Sequence, residues 1–177
     1  DDETYYSELI RRQEHDELFS ADSIHQIDSL RFTTPGGKVV YGGGGIMPDV
    51  FVPVDTTGLT PYFMKLFQKN LIFRYAQRTT DRYRKEINAM ESLAELDRFF
   101  ADKNLFYDFV AFADREGVHP TETEMTLSKP LIEAQIRGYI GRNTSLDETA
   151  FYYYIFPQDQ TLLRAARVLG GGVGSGD

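Results

Sequence analysis

Residues 39–54, VVYGGGGIMPDVFVPV, decide how the first third of the chain is read. Val39, Val40 and Tyr41 are strand formers, and so are Val50, Phe51 and Val52, because β-branched and aromatic side chains pack well on a pleated surface. Between them Gly42 to Gly45 admit backbone angles or contacts that a Cβ would block. The local reading is strand, tight glycine passage, strand. Immediately upstream, Leu30 to Thr34 reads as a strand and Pro35-Gly36-Gly37 as its turn, so Lys38 to Tyr41 returns as the second arm of a hairpin. Pro48 and Pro53 lack amide hydrogens and confine the strand around Val50 to a short piece or an edge.

Working outward, the pattern turns helical on both sides. Tyr6, Leu9, Ile10 and Gln13 fall at helical spacing, as do Phe19, Ile24, Ile27 and Leu30, predicting two short helices before the hairpin. After Asp55, Thr60-Pro61 supplies an N-cap and a proline at the first helical position. Phe63, Leu66, Phe67, Asn70, Leu71, Arg74 and Tyr75 continue the stripe, predicting the longest helix of the chain, running to about Arg84. Helices are expected over Leu93 to Ala101 and over Leu105 to Glu116, the second closed by Gly117 in a left-handed cap. Thr121 to Leu127 reads as a helical approach, and Pro130 starts or kinks a helix carrying Leu131, Ile132, Ile136, Tyr139 and Ile140. Leu146 to Phe156 and Asp159 to Leu169 complete the set, with Pro157 between them. The terminal GGGVGSGD is a flexible linker by composition.

The fold class expected is therefore α+β, mostly α-helical, with a small hairpin or strand segment near residues 30–54 and a C-terminal helical bundle. The corresponding division is 1–55, 56–169 as the helical region, and 170–177 as a glycine-rich tail. A chain of 177 residues is long enough to bury a core. Its net charge of −8 and pI near 4.9, with no basic stripe read from the sequence, argue against a nucleic-acid partner. Cysteine is absent, which removes disulfides and thiolate metal sites. No apolar run is long enough to span a membrane.

Candidate chemistry is sparse. The YGGGGI run lacks the Lys-Ser/Thr or GxGxxG context of a phosphate cradle and is followed by a strand, so a structural passage is the better reading. His15, His25 and His119 are widely separated, with no paired metal-ligand spacing. Glu122, Glu124, Asp147 and Glu148 sit near helix starts, where acids suit the macrodipole, and are read as capping groups in preference to a catalytic carboxylate pair. No catalytic, cofactor-binding or metal residue is assigned, and no cofactor is expected. The aromatic content is more informative. Phe99, Phe100, Phe106, Tyr107, Phe109, Phe112 and the run Phe151-Tyr152-Tyr153-Tyr154 exceed what one helical stripe can bury. Either helices are buried on two sides, or some of these rings face a partner.

The segment TPGGKVVYGGGGIMPDV, residues 34–50, also resembles the end of the protease domain in the carboxyl-terminal processing peptidases, the tail-specific serine proteases. The positions that carry the likeness are Thr34, Pro35, Gly36, Gly37 and Lys38, then Gly45, Ile46, Pro48 and Asp49. Glu17-Leu18-Phe19, Asp22-Ser23-Ile24, Asp28-Ser29-Leu30 and Phe32-Thr33-Thr34-Pro35 are similar to the Bacteroidetes branch of that family, with Ile136 to Asn143 a looser counterpart. The resemblance implies a parent serine endopeptidase in the periplasm or cell envelope, trimming exported proteins near their C termini, with a protein or peptide as substrate. It implies that residues 1–55 end the catalytic domain. The family's Ser/Lys dyad phrases have no counterpart here and would lie before Asp1, so neither Lys38 nor any serine is assigned as catalytic and this chain is expected to be inactive. The rival reading, from a different class of function, is a non-catalytic helical module that docks a protein partner or forms a homo-oligomer.

Overall fold

The computed structural model of the protein describes residues 31–37, 39–41 and 48–170. The chain divides into two units, residues 1–54 and 55–177. In the first, β1 (Arg31–Thr33) pairs antiparallel with β2 (Val39–Tyr41), with Arg31 opposite Tyr41, Phe32 opposite Val40 and Thr33 opposite Val39. The turn closes as its residues dictate: Gly37 takes φ +81°, which a Cβ disfavours, and its N–H donates to the Thr34 carbonyl at 2.9 Å. Phe32 and Val40, directly opposed, are both exposed. The strand expected around Val50 to Val52 does not form; the described residues 48–54 contain no ladder. Pro48 and Pro53 bracket that segment and each withholds an amide donor. Gly42 to Gly45 and the two helices expected before Leu30 lie outside the described residues.

The second unit is a helical bundle of eight α-helices among the described residues. Helix α1 (Pro61–Gln68) begins at Thr60, whose hydroxyl accepts from the Phe63 N–H at 3.2 Å. It does not run on to Arg84. Asn70 adopts the left-handed conformation at φ 54°, which asparagine tolerates better than most residues. The chain restarts there as α2 (Leu71–Arg82), and Tyr83 separates that from a short α3 (Arg84–Asn88). The interruptions let separate faces reach the core: Tyr62, Phe63 and Leu66 from α1, and Leu71, Ile72, Tyr75 and Ala76 from α2.

Helix α4 (Leu93–Asp102) opens with a reciprocal capping box between Ser92 and Glu95. Phe99 and Phe100 are both buried, so α4 is covered on two sides. Helix α5 (Leu105–Arg115) ends as expected at Gly117, φ +75°, with the Val118 N–H donating to the Ala113 carbonyl and the Gly117 N–H to the Asp114 carbonyl, both at 3.0 Å.

The longest helix is α6 (Glu122–Gly141), 20 residues with Pro130 inside it. Proline was expected to start or kink a helix; instead both expected segments join into one. The missing proline N–H removes one hydrogen bond, whereas the helix is held by a second capping box, Thr121 with Glu124, and by buried Ser128, Ile132, Ala134, Ile136, Gly138, Ile140 and Gly141. The Ser128 hydroxyl bonds the Gly58 carbonyl at 3.0 Å and the Thr60 hydroxyl at 2.7 Å, and the Tyr62 N–H donates to Glu124 Oε1 at 3.1 Å. The first half of α6 thereby fixes the start of α1. Helix α7 (Asp147–Ile155), a 3₁₀ turn (Phe156–Gln158) and α8 (Gln160–Leu169) follow.

Helices α6 and α7 meet at glycine. A Cβ on Gly141 would lie 2.9 Å from the Ala150 Cβ, and one on Gly138 would lie 3.1 Å from the Phe151 ring. Glycine to alanine at an exposed helix interior stabilises by about 1 kcal/mol, but overpacking costs roughly 1–3 kcal/mol. Gly141→Ala is therefore expected to lower the urea midpoint, and Ala150→Gly in the same chain to recover part of the loss; a stabilised single variant would show that the two helices are not in contact there. The Thr80 hydroxyl is buried with no hydrogen-bond partner. Thr80→Val, nearly isosteric, is expected to raise stability by about 1 kcal/mol in the same melts, since it removes an unpaired buried polar group.

Candidate interaction surface

The close approach permitted by Gly138 lays the Phe151 ring on α6 and begins a continuous aromatic track. Phe73 of α2 meets Tyr139 of α6 edge-on at 5.3 Å, Tyr139 meets Phe151 of α7 at 5.8 Å, Phe151 meets Tyr152 at 5.3 Å, and Tyr152 stacks on Phe156 at 4.8 Å. Phe73 is 39% exposed, Tyr152 43% and Phe156 42%, so the track borders solvent along its length. The Arg142 guanidinium sits 4.3 Å over Phe151 and is held there by an ion pair with Glu148. Beyond the 3₁₀ turn, α8 is capped by Asp159, whose carboxylate accepts from the Leu162 N–H at 2.9 Å. Leu162, Leu163, Ala166 and Leu169 recur along one face of α8 while Arg164 and Arg167 occupy the other, yet no residue of α8 is buried.

Other aromatics form the core. Tyr75 packs edge-on to Phe109 at 5.3 Å and donates its hydroxyl to the Leu105 carbonyl at 3.0 Å. Phe100 packs on Phe99 and Tyr154, and the Tyr154 hydroxyl donates to Asp97 at 2.8 Å. The first of the two alternatives accounts for α4 and α5, which are buried on more than one side, while Tyr107, Tyr152 and Tyr153 are exposed. Lys103 lies over Tyr83 and Phe99, Lys129 over Phe106 and Tyr107, and Arg137 over Phe100, so cations cover much of the core's aromatic rim. Among the described residues, Arg142 alone lies over a ring of the track.

The sequence candidates fall apart in space. Glu122 and Glu124 occupy the first turn of α6, and Asp147 and Glu148 the first turn of α7. His119 pairs with Asp114 on the surface, whereas His15 and His25 lie outside the described residues. Among the described residues no three His, Asp or Glu side chains gather closely enough to hold a metal, and no helix is long and apolar enough to cross a membrane. One feature was missed. Arg74, Arg78 and Arg82 stand at i, i+4 and i+8 on α2, a basic row that four-residue spacing already signals.

The described fold is a helical bundle with a separate β-hairpin, and its segment from α1 to the loop before α7 has known relatives. Residues 62–145 match a family of unknown function, DUF8443. No curated protein and no solved structure matches the chain. These findings overturn the resemblance to the carboxyl-terminal processing peptidases: the match falls on the helices, and no peptidase family shares it. The likeness had rested on residues 17–55, where threonine, proline and glycine follow the needs of a hairpin turn.

The pH response of this unit follows from its capped carboxylates and buried phenols. Hydrogen bonds from the Thr121 backbone, then its hydroxyl, hold Glu124 below its ordinary value of 4.5, and bonds from the Glu91 backbone and the Ser92 hydroxyl do the same for Glu95. Burial pushes Tyr62 and Tyr75 up to about 12 and raises Tyr154 further. A lowered carboxyl contributes stability that is present above its unfolded value and lost as pH falls through the folded one; a raised phenol contributes stability present below pH 10 and lost as pH rises through its folded value. Urea midpoints are expected to fall below about pH 4.5 and again above about pH 10. Glu124→Gln should shallow the acid limb alone and Tyr154→Phe the alkaline limb alone; unchanged limbs would place the titrating groups elsewhere.

Proposed function

We propose that the protein is a non-catalytic helical module that self-associates, the α8 of one copy seating on the aromatic track of another. The observation that carries this reading is the apolar face of α8, four side chains in register with none of them buried. A helix of ten residues extends only about 15 Å and is marginal in water without tertiary packing. Within one chain α8 follows directly from the 3₁₀ turn and adds nothing to the core. The track from Phe73 to Phe156, built of ring steps near 5 Å, offers a surface of comparable length.

A second copy supplies both missing halves at once. The exchange is isologous: each chain presents one α8 and one track, so a two-fold dimer closes without leaving either surface unmatched. Arg164 and Arg167 on the outer face of α8 stay in solvent in this arrangement. Aromatic rings at the centre of such an interface supply large contact area at low side-chain entropy cost.

Sedimentation velocity across micromolar to submillimolar concentrations is expected to show a monomer–dimer equilibrium. Leu162→Glu with Leu169→Glu should abolish the dimer while the bundle's thermal transition is retained, because neither side chain is in the core. Tyr152→Ser should weaken it as well. A strict monomer throughout, or a dimer indifferent to both changes, would overturn the proposal.

A further inference from the structure

The cleft between α2 and α5 gathers three arginines, none of them in an ion pair among the described residues, beside a single carboxylate, Asp108. Arg78 and Arg82 of α2 and Arg115 at the end of α5 line it together with Thr79, Tyr83 and Asp108, enclosing about 100 Å³, room for a few water molecules. Four other cations of the bundle do have carboxylate partners, Arg74 with Glu116, Arg84 with Asp81, Lys103 with Glu86 and Arg142 with Glu148. Among the described residues no carboxylate lies within ion-pair distance of Arg78, Arg82 or Arg115. The Arg82 guanidinium carbon lies 5.4 Å over the Tyr83 ring. A guanidinium carries five N–H donors, more than one ring contact engages.

The arrangement costs something and structure alone does not explain it. Like charges one turn apart, as at Arg78 and Arg82, destabilise a helix. A basic residue in the last turn offsets the macrodipole, which accounts for Arg82 on α2 and Arg115 on α5 singly, but not for mid-helix Arg78 or for the convergence of all three on one cleft. The chain as a whole is acidic at −8, so this is a local reversal of sign and not a general basic surface.

We infer that this cleft binds a phosphate monoester carried on a small hydroxylated molecule. Planar guanidinium forks match phosphoryl oxygens in pairs, and three of them suit a dianion better than a carboxylate. Asp108, the carboxylate lining the same cleft, repels a bare phosphate yet accepts a hydrogen bond from a hydroxyl beside the ester. The site lies within α2 and α5, apart from α8, and stands whether or not the protein dimerises.

The experiment is an NMR titration of the full chain, following backbone amides and arginine Nε–H groups, with glycerol 3-phosphate, inorganic phosphate and, at matched ionic strength, chloride. Saturable shifts at Arg78, Arg82 and Arg115 are expected, tighter for glycerol 3-phosphate than for inorganic phosphate. Arg78→Gln and Arg115→Gln should each weaken binding by about tenfold or more with the cooperative thermal transition retained, since each removes charge-assisted bonds. Asp108→Asn should erase the preference for the ester. Shifts that chloride reproduces, binding indifferent to the arginine changes, or retention only on vesicles containing phosphatidate or only on poly-glutamate would overturn the inference.

Discussion

From Leu131 to Gly141 every residue of α6 is buried or half-buried, with Ile132, Ala134, Ile136, Gly138, Ile140 and Gly141 fully buried. A helix in that position has neighbours on several sides, and where the neighbours come closest the side chain must be small. Gly138 and Gly141 meet that condition against α7, Ser128 meets it with hydroxyl bonds to the start of α1, and Ile132, Ile136 and Ile140 fill the space between. The same constraint explains why Pro130 is tolerated. A lost hydrogen bond costs little beside the packing of the residues that follow it.

The aromatic residues sort themselves by what that central helix leaves available. Phe99, Phe100, Phe109 and Phe112 close the core, and the charged ends of Lys103, Lys129 and Arg137 lie over rings at its rim. Among the described residues, the track running from Phe73 to Phe156 has such cover only at Arg142. An apolar surface left open and an apolar helix left unburied are the two observations on which the proposed self-association rests. The arginine cleft is the polar counterpart: in both places a group is held in a state that a further molecule would satisfy.

The peptidase resemblance shows how turn chemistry misleads. Thr-Pro-Gly-Gly before a valine pair is what a short hairpin needs: a proline to preset φ, a glycine for the positive φ seen at Gly37, and strand formers after it. Those needs recur in unrelated proteins, whereas the placement of apolar residues along α1 to α6, where the family match falls, reflects one particular packing.

Local chemistry in the chain determined most of the element boundaries. Thr60-Pro61, Ser92 with Glu95, Thr121 with Glu124, Asp159, and Gly117 after α5 each act within a few residues of themselves, so their effect is readable without knowing the fold. The row Arg74, Arg78, Arg82 was legible in the same way, although it went unread. Tertiary structure decided the rest. Asn70 breaks the first long stripe because α1 and α2 must each turn a face to the core, and an amphipathic pattern cannot say whether it continues or restarts. Arg115 joins Arg78 and Arg82 only because α5 lies beside α2, more than thirty residues further along the chain. The difference between a buried Tyr154 and its exposed neighbours Tyr152 and Tyr153 is likewise invisible in a run of three identical residues. Burial is a property of the neighbours, and contacts between residues distant in sequence are fixed by close packing, which no local pattern contains.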